Sequence, residues 1–204
     1  MTQQKWTFTI SASFLEIYNE NLRDLLGSLK DSASLSSKNV DKLSIKRDRN
    51  GKSYVDGLTS IPIDTKDEKR GMEQLETLMK AAARARSVAS TNMNSQSSRS
   101  HSVFMLHMNG YNDEWGTKVN GALNLCDLAG SERLDRSGAS SDSTRLKETQ
   151  SINKSLSCLG DVFNALATGA SHVPYRNSKL TYLLQDCLSG DGKALMFVNL
   201  SPTT

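Results

Sequence analysis

Asp127-Leu128-Ala129-Gly130-Ser131-Glu132 follows the apolar run Leu123-Asn124-Leu125-Cys126. A carboxylate at the end of a buried strand can hold Mg²⁺ through water. A glycine three residues later lets its amide approach a terminal phosphate with no side chain in the way. The D-x-x-G spacing alone is short, and an ordinary strand-ending turn produces it as well. A second cluster gives it weight: Asn94-Ser95-Gln96-Ser97-Ser98-Arg99-Ser100-His101. Its adjacent hydroxyls suit Mg²⁺ and phosphate oxygens, and a guanidinium between serines suits a carboxylate or a phosphate. Both clusters border apolar strands, where α/β proteins hold their ligands. Together they describe a phosphate-hydrolysing switch.

Other chemistries find less support. His101, His107 and His172 lack metal-ligand spacing. Cys126, Cys158 and Cys187 are odd in number and far apart, which argues against a disulfide scaffold or a zinc site, so they are expected to pack as small apolar residues. Ser131 and His101 do not make a triad, because the strained G-x-S-x-G elbow is missing. A chain of 204 residues, 37% hydrophobic and 23% charged, suits one domain with a real core. No apolar run is long enough to cross a membrane as a helix, and Met1 to Trp6 does not read as a secretory leader. A net charge of +3 is too small to identify a partner, and 6% aromatic residues give little for nucleic acid to stack on.

Elements must hold these clusters in place. Trp6, Phe8, Ile10, Ala12 and Phe14 alternate with polar residues as in a strand. From Glu16 to Leu26 the apolar spacing shifts to three and four, which predicts a short helix closed by Gly27. Residues Ser28 to Asp41, serine-rich and weakly apolar, are expected to form a surface loop. Leu43–Arg47 and Tyr54–Leu58 flank Asn50-Gly51, a hairpin signal. Thr65 and Glu68 fit a capping box, followed by a helix to about Val88 with Met72, Leu75, Leu78, Met79 and Ala82 on its apolar face. Strands are predicted over 102–108 and 121–126, a helix carrying Ile152, Leu156, Leu159, Phe163 and Leu166, another starting near Asn177 or Ser178, and a last buried strand over 194–200. The alternation predicts an α/β fold with a central mixed β-sheet flanked by helices.

At these motifs the chain resembles the kinesin motors. Asn94-x-x-Ser97-Ser98-Arg99-Ser100-His101 is similar to their switch I and Asp127-Leu128-Ala129-Gly130-Ser131-Glu132 to their switch II. Ser13-Phe14-Leu15-Glu16-Ile17-Tyr18-Asn19-Glu20, Ile152-Asn153-Lys154-Ser155-Leu156 and His172-Val173-Pro174-Tyr175-Arg176-Asn177-Ser178-Lys179-Leu180-Thr181 resemble three further signatures in the same order. Leu156–Val162 and Leu195–Pro202 look most like the C-terminal-motor, minus-end-directed members.

The resemblance implies a P-loop NTPase-like fold, ATP and Mg²⁺ as substrate and cofactor, and microtubules as track. It implies that Asn94, Ser97, Ser98 and Asp127 bind the nucleotide, with Ser98 and Asp127 holding Mg²⁺ through water. Gly130 would sense the γ-phosphate, and Arg99 and Glu132 would bridge the two switches. Asn153, Lys154, Tyr175, Arg176 and Lys179 would face tubulin, with Lys46, Arg47, Arg49 and Lys52 extending that surface. A dimer partner would join through a coiled coil outside this chain, and the protein would work on the cytoplasmic microtubule cytoskeleton and spindle. Neither membrane nor nucleic acid is implied. Asn153-Lys154-Ser155-Leu156 lacks the aspartate of a guanine-binding N-K-x-D motif.

One departure matters. The phosphate loop G-x-x-x-x-G-K-[ST] does not occur in these residues, and Gly190-Asp191-Gly192-Lys193 stands between a helix and a strand, the reverse of phosphate-loop order. The chain therefore reads as a partial motor domain over 1–204, truncated at both ends. The alternative is a non-catalytic microtubule-binding module with a motor-like fold, but such a module has no reason to keep both switches.

The 204-residue chain by itself is expected not to bind Mg-ATP in the micromolar range, since the amides and lysine of the phosphate loop supply most of the cradle. Calorimetric titration of the purified chain checks this, and micromolar binding would mean the phosphate site lies elsewhere.

Overall fold

The structure, a computed structural model, describes residues 5–30, 43–90, 96–131, 143–190 and 192–199. The sheet is built on β1 (Trp6–Tyr18), β6 (His101–Asn112) and β7 (Thr117–Asp127), with β2 (Asn21–Asp24) and β5 (Ile61–Ile63) pairing the other side of β1. A separate hairpin joins β3 (Ser44–Arg47) to β4 (Ser53–Asp56) through Gly51 at φ 78°. The helices are α1 (Gly27–Lys30), α2 (Glu68–Ser90), α3 (Ser143–Ala167), α4 (Lys179–Leu183) and α5 (Gln185–Leu188). The α/β class stands. Every ladder among the described residues is antiparallel.

Strand periodicity divides the core in two. Ala12 and Phe104 pack with Leu78 and Ala82 of α2 on one face of the sheet. Leu15, Ile17, Val103 and Met105 pack with Leu159 of α3 and with Leu180 and Leu184 on the other. Both faces of β1 are therefore covered from Ala12 onward. This corrects the helix expected over 16–26. Leu15, Glu16 and Ile17 are consecutive and all buried, and a strand covered on both faces loses the alternation that marks a half-exposed one. The chain instead reverses at Asn19 and Glu20, both at positive φ (49° and 57°), into β2. Gly27 opens α1 and does not cap a helix.

Three smaller expectations change. Asp67, not Thr65, caps α2: its Oδ1 accepts the Arg70 N–H at 3.1 Å, while the Thr65 hydroxyl donates to the Phe8 carbonyl. Met72 and Met79 are exposed, whereas Leu75, Leu78 and Ala82, joined by Ala85, carry the apolar face of α2 into the core. Residues 194–199 form no strand; Leu195 and Phe197 are 80% and 83% exposed, because no strand among the described residues pairs with them. Cys158 is buried, whereas Cys126 is exposed and the half-buried Cys187 sulfur accepts an N–H from Asn124 at 2.9 Å.

Leu180 is 0% exposed where α4, α3 and the sheet meet. Leu180→Ala in the complete motor domain is expected to cost about 2–5 kcal/mol. Urea unfolding should show a lower midpoint at unchanged slope, and an unshifted midpoint would contradict the packing described.

Candidate functional site

The two chemistry-bearing clusters, far apart in sequence, meet at one end of the sheet. Residues Gln96–Arg99 form a single 3₁₀ turn leading into β6, and β7 ends at Asp127, opposite Ser102 in the ladder. The Gly130 N–H donates to the Ser98 carbonyl at 2.9 Å, and the Ala129 N–H donates to His101 Nδ1 at 3.0 Å. Ser98 and Gly130 are exposed there. Asn94 and Glu132 lie outside the described residues, and with them the expected Arg99–Glu132 bridge; of Ser97 only the backbone is described.

Asp127 has a partner that sequence reasoning missed. Arg86, near the C-terminal end of α2, donates to Asp127 Oδ2 at 3.0 Å, to Ser102 Oγ at 3.4 Å and to the Ser100 carbonyl at 3.2 Å. Its Nε also lies 3.6 Å from Glu16 Oε1. Glu16 is 0% exposed and accepts a 2.7 Å hydrogen bond from the Ser100 hydroxyl. Arg23 approaches its other oxygen at 3.5 Å and donates to the Ala85 carbonyl. The available signal was a carboxylate at an apolar position, Leu15-Glu16-Ile17; a buried charge requires a paired cation. Nothing in the sequence marked Arg86, 41 residues before Asp127.

On the opposite face, His101 is 3% exposed and hydrogen-bonded at both nitrogens. Nδ1 accepts from Ala129, which leaves the proton on Nε2, 2.7 Å from Ser155 Oγ. Ser155, 2% exposed, in turn donates to the Ile152 carbonyl at 2.7 Å. Burial lowers the His101 pKa from 6.5 to about 4; Arg86 acts in the same direction and Asp127 opposes it.

The residues expected to face a track diverge. Lys154 is exposed on α3 beside buried Ser155, and Asn153 is half-buried. Arg176 is exposed, 5.4 Å from the Tyr182 ring centre. Tyr175 is buried, so it packs the core side of this segment and offers no surface contact. The Lys179 amide donates to Glu20 Oε2 at 2.9 Å, which ties the start of α4 to the β1–β2 turn. Lys46 pairs with Asp56 and Arg47 donates to the Gly51 carbonyl, so both basic side chains serve their own hairpin. Among the described residues no three or more His, Cys, Asp or Glu side chains gather to hold a metal ion, and no helix is long and apolar enough to cross a membrane.

The fold is an α/β one in which a serine-arginine loop and a D-x-x-G loop are joined at one end of the sheet. The kinesin motor domain family matches residues 1–204, and the chain belongs to that family. It is 52% identical over 202 residues to Kinesin-like protein KIN-14N of Oryza sativa subsp. japonica, covering 99% of this chain and 25% of that protein. The motor domain of kinesin-like protein KAR3 of Saccharomyces cerevisiae superposes with a TM-score of 0.75 at 44% identity, covering 98% of this chain and 55% of that one. A C-terminal motor and motor homology domain of Kar3Vik1, fused to a synthetic heterodimeric coiled coil, gives 0.77 at 44% identity, covering 98% and 48%. The resemblance to C-terminal-motor kinesins, and within them to the fungal karyogamy kinesin, therefore holds. The chain spans about a quarter of the length of the curated relative and about half of the solved chains.

The His101 shift sets a pH dependence. Its folded-state pKa lies below the unfolded value, so its contribution to stability is complete above about pH 6.5 and is lost as pH falls toward 4. His101→Asn does not titrate. In the complete motor domain, the melting temperature of the wild type is expected to fall more steeply than that of His101→Asn across this window, and parallel profiles would contradict the assignment.

Proposed function

We propose that this chain is the switch-bearing and track-binding part of a microtubule motor driven by ATP hydrolysis. The observation that carries the reading is the Gly130 N–H to Ser98 carbonyl bond, which joins the two loops through the amide expected to meet a terminal phosphate. That amide has one proton. A phosphate that takes this proton draws it away from the Ser98 carbonyl, so nucleotide arrival would exchange the contact that joins the two loops.

Asn94, Ser97, Ser98 and Asp127 are the proposed nucleotide-side residues. Asp127, 71% exposed at its side chain, offers one carboxylate and Ser98 one hydroxyl. This donor set fits Mg²⁺, which keeps water and takes substrate oxygens to complete its octahedron. Bound there through Ser98 and Asp127, the ion would offset phosphate charge. Arg86 holds the Asp127 carboxylate on the α2 side. Arg99, at the end of the 3₁₀ turn, is proposed to meet Glu132 when the loops close, and a bridge between two loops forms only when both arrive.

Lys154 and Arg176 are exposed cations that suit tubulin's acidic surface, with Asn153 and Lys179 beside them. The setting we propose is the cytoplasmic microtubule cytoskeleton and spindle, with a dimer partner held through a coiled coil outside this chain. Retention of Asp127, Gly130 and the Ser97-Ser98-Arg99 run favours a working motor over a non-catalytic module.

In the complete motor, Arg99→Ala is expected to abolish microtubule-stimulated ATP turnover while nucleotide binding persists, because the bridge belongs to closure and not to initial capture. Steady-state turnover near wild type, with microtubules present, would overturn the reading.

A further inference from the structure

His101 makes a contact for which none of the assigned roles accounts. Four groups form one continuous chain: the Ala129 N–H donates to His101 Nδ1 at 3.0 Å, His101 Nε2–H to Ser155 Oγ at 2.7 Å, and Ser155 Oγ–H to the Ile152 carbonyl at 2.7 Å. Each bond has a single direction. Ser155 gives its proton to Ile152, so it must accept from the ring, and the ring must then accept from Ala129. Both side chains are nearly excluded from water, at 3% and 2% exposure, so solvent does not replace a lost partner.

The chain extends to α3 a connection that β6 and β7 already share through their ladder and the Gly130–Ser98 bond. His101 opens β6 directly after the serine-arginine turn, Ala129 lies two residues past Asp127, and Ser155 is on α3 next to exposed Lys154. We propose that His101 is a positioning residue that couples α3 to both phosphate-facing loops, so that displacement of α3 by the track is felt at Ala129 and Gly130. The geometry favours this over simple core filling. An apolar residue of similar size would fill the space, whereas the ring is placed to satisfy a donor from one element and an acceptor from another. The inference rests on the motor reading above.

Two substitutions separate the halves of the ring. His101→Asn places an acceptor near Nδ1 and removes the donor to Ser155; Ser155→Ala removes the acceptor and leaves the helix former. Both are made in the complete motor, alone and together, and microtubule-stimulated turnover is measured across a microtubule titration. Each single variant is expected to lower the maximal stimulated rate about tenfold, equivalent to about 1.4 kcal/mol, with the half-saturating microtubule concentration changed less than about twofold. The double variant is expected to match the singles, because each already breaks the same chain. Ser155→Ala with a maximal rate within about twofold of wild type would overturn the proposal, as would single effects that multiply in the double variant. A wild-type motor that microtubules do not stimulate would instead sink the motor reading itself. If His101→Asn does not fold, Ser155→Ala alone decides on the ratio of maximal rate to half-saturation.

Discussion

A carboxylate with no access to water sits near one end of the longest ladder of this sheet, opposite Ser102, and the neighbouring elements are arranged to satisfy it. Glu16 would be strongly destabilising if it were unpaired, because transfer of a charge from water is offset only by close cations and hydrogen-bond donors. Its partners come from elsewhere in the chain: the Ser100 hydroxyl, just before β6, and Arg23 from β2 donate to it, and Arg86 from α2 supplies a second cation at 3.6 Å. Their convergence fixes where α2 crosses the sheet and where the serine-arginine turn must end. Arg86 has guanidinium nitrogens to spare and continues to Asp127. The requirement of one buried charge thus orders the end of the sheet where the two loops meet.

Strand geometry turns that order into two separate networks. Ser102 and His101 are adjacent on β6, so their side chains leave opposite faces. On the α2 face, Ser102 joins Arg86, Glu16 and Asp127 in a charged cluster. On the α3 face, His101 joins Ala129 and Ser155 in a neutral, directional chain. Asp127 and Ala129, two residues apart, are each held by a different network. A change on either face is therefore delivered to the same short loop.

Much of this was legible in the sequence, for physical reasons that also explain the failures. The two clusters could be singled out because residue types suited to phosphate chemistry fall within a few positions of Asp127 and of Ser98, and the structure brings those positions together. The Asn50-Gly51 hairpin was visible because tight turns need positive φ at identifiable residues. Leu15 to Ile17 misled because alternation disappears when both faces of a strand are covered. The run at 194–198 misled in the opposite direction: its pattern signals a strand, but a strand exists only with a partner to complete its ladder. Glu16 with Arg86, and His101 with Ser155, were illegible because each joins residues 54 or more positions apart, with no local pattern to mark the pair. Tyr175 was assigned to a surface by its neighbours, and only packing shows that it points inward.

The magnitudes separate frame from moving part. Removal of one partner from a buried ion pair costs about 3–5 kcal/mol, so the Glu16–Arg86 side of the site is not remodelled by events worth less than that. A neutral backbone hydrogen bond contributes about 0.5–1.5 kcal/mol net. The Gly130–Ser98 bond is of that kind and lies at an exposed edge. A phosphate oxygen accepts a charge-assisted bond of about twice that strength, so it can displace the Ser98 carbonyl without disturbing the strands behind it. Asp127 stands at the boundary, fixed on one side by Arg86 and open to solvent on the other. The loop following it can therefore exchange partners while its root stays in place, which is the mechanical condition a switch must meet.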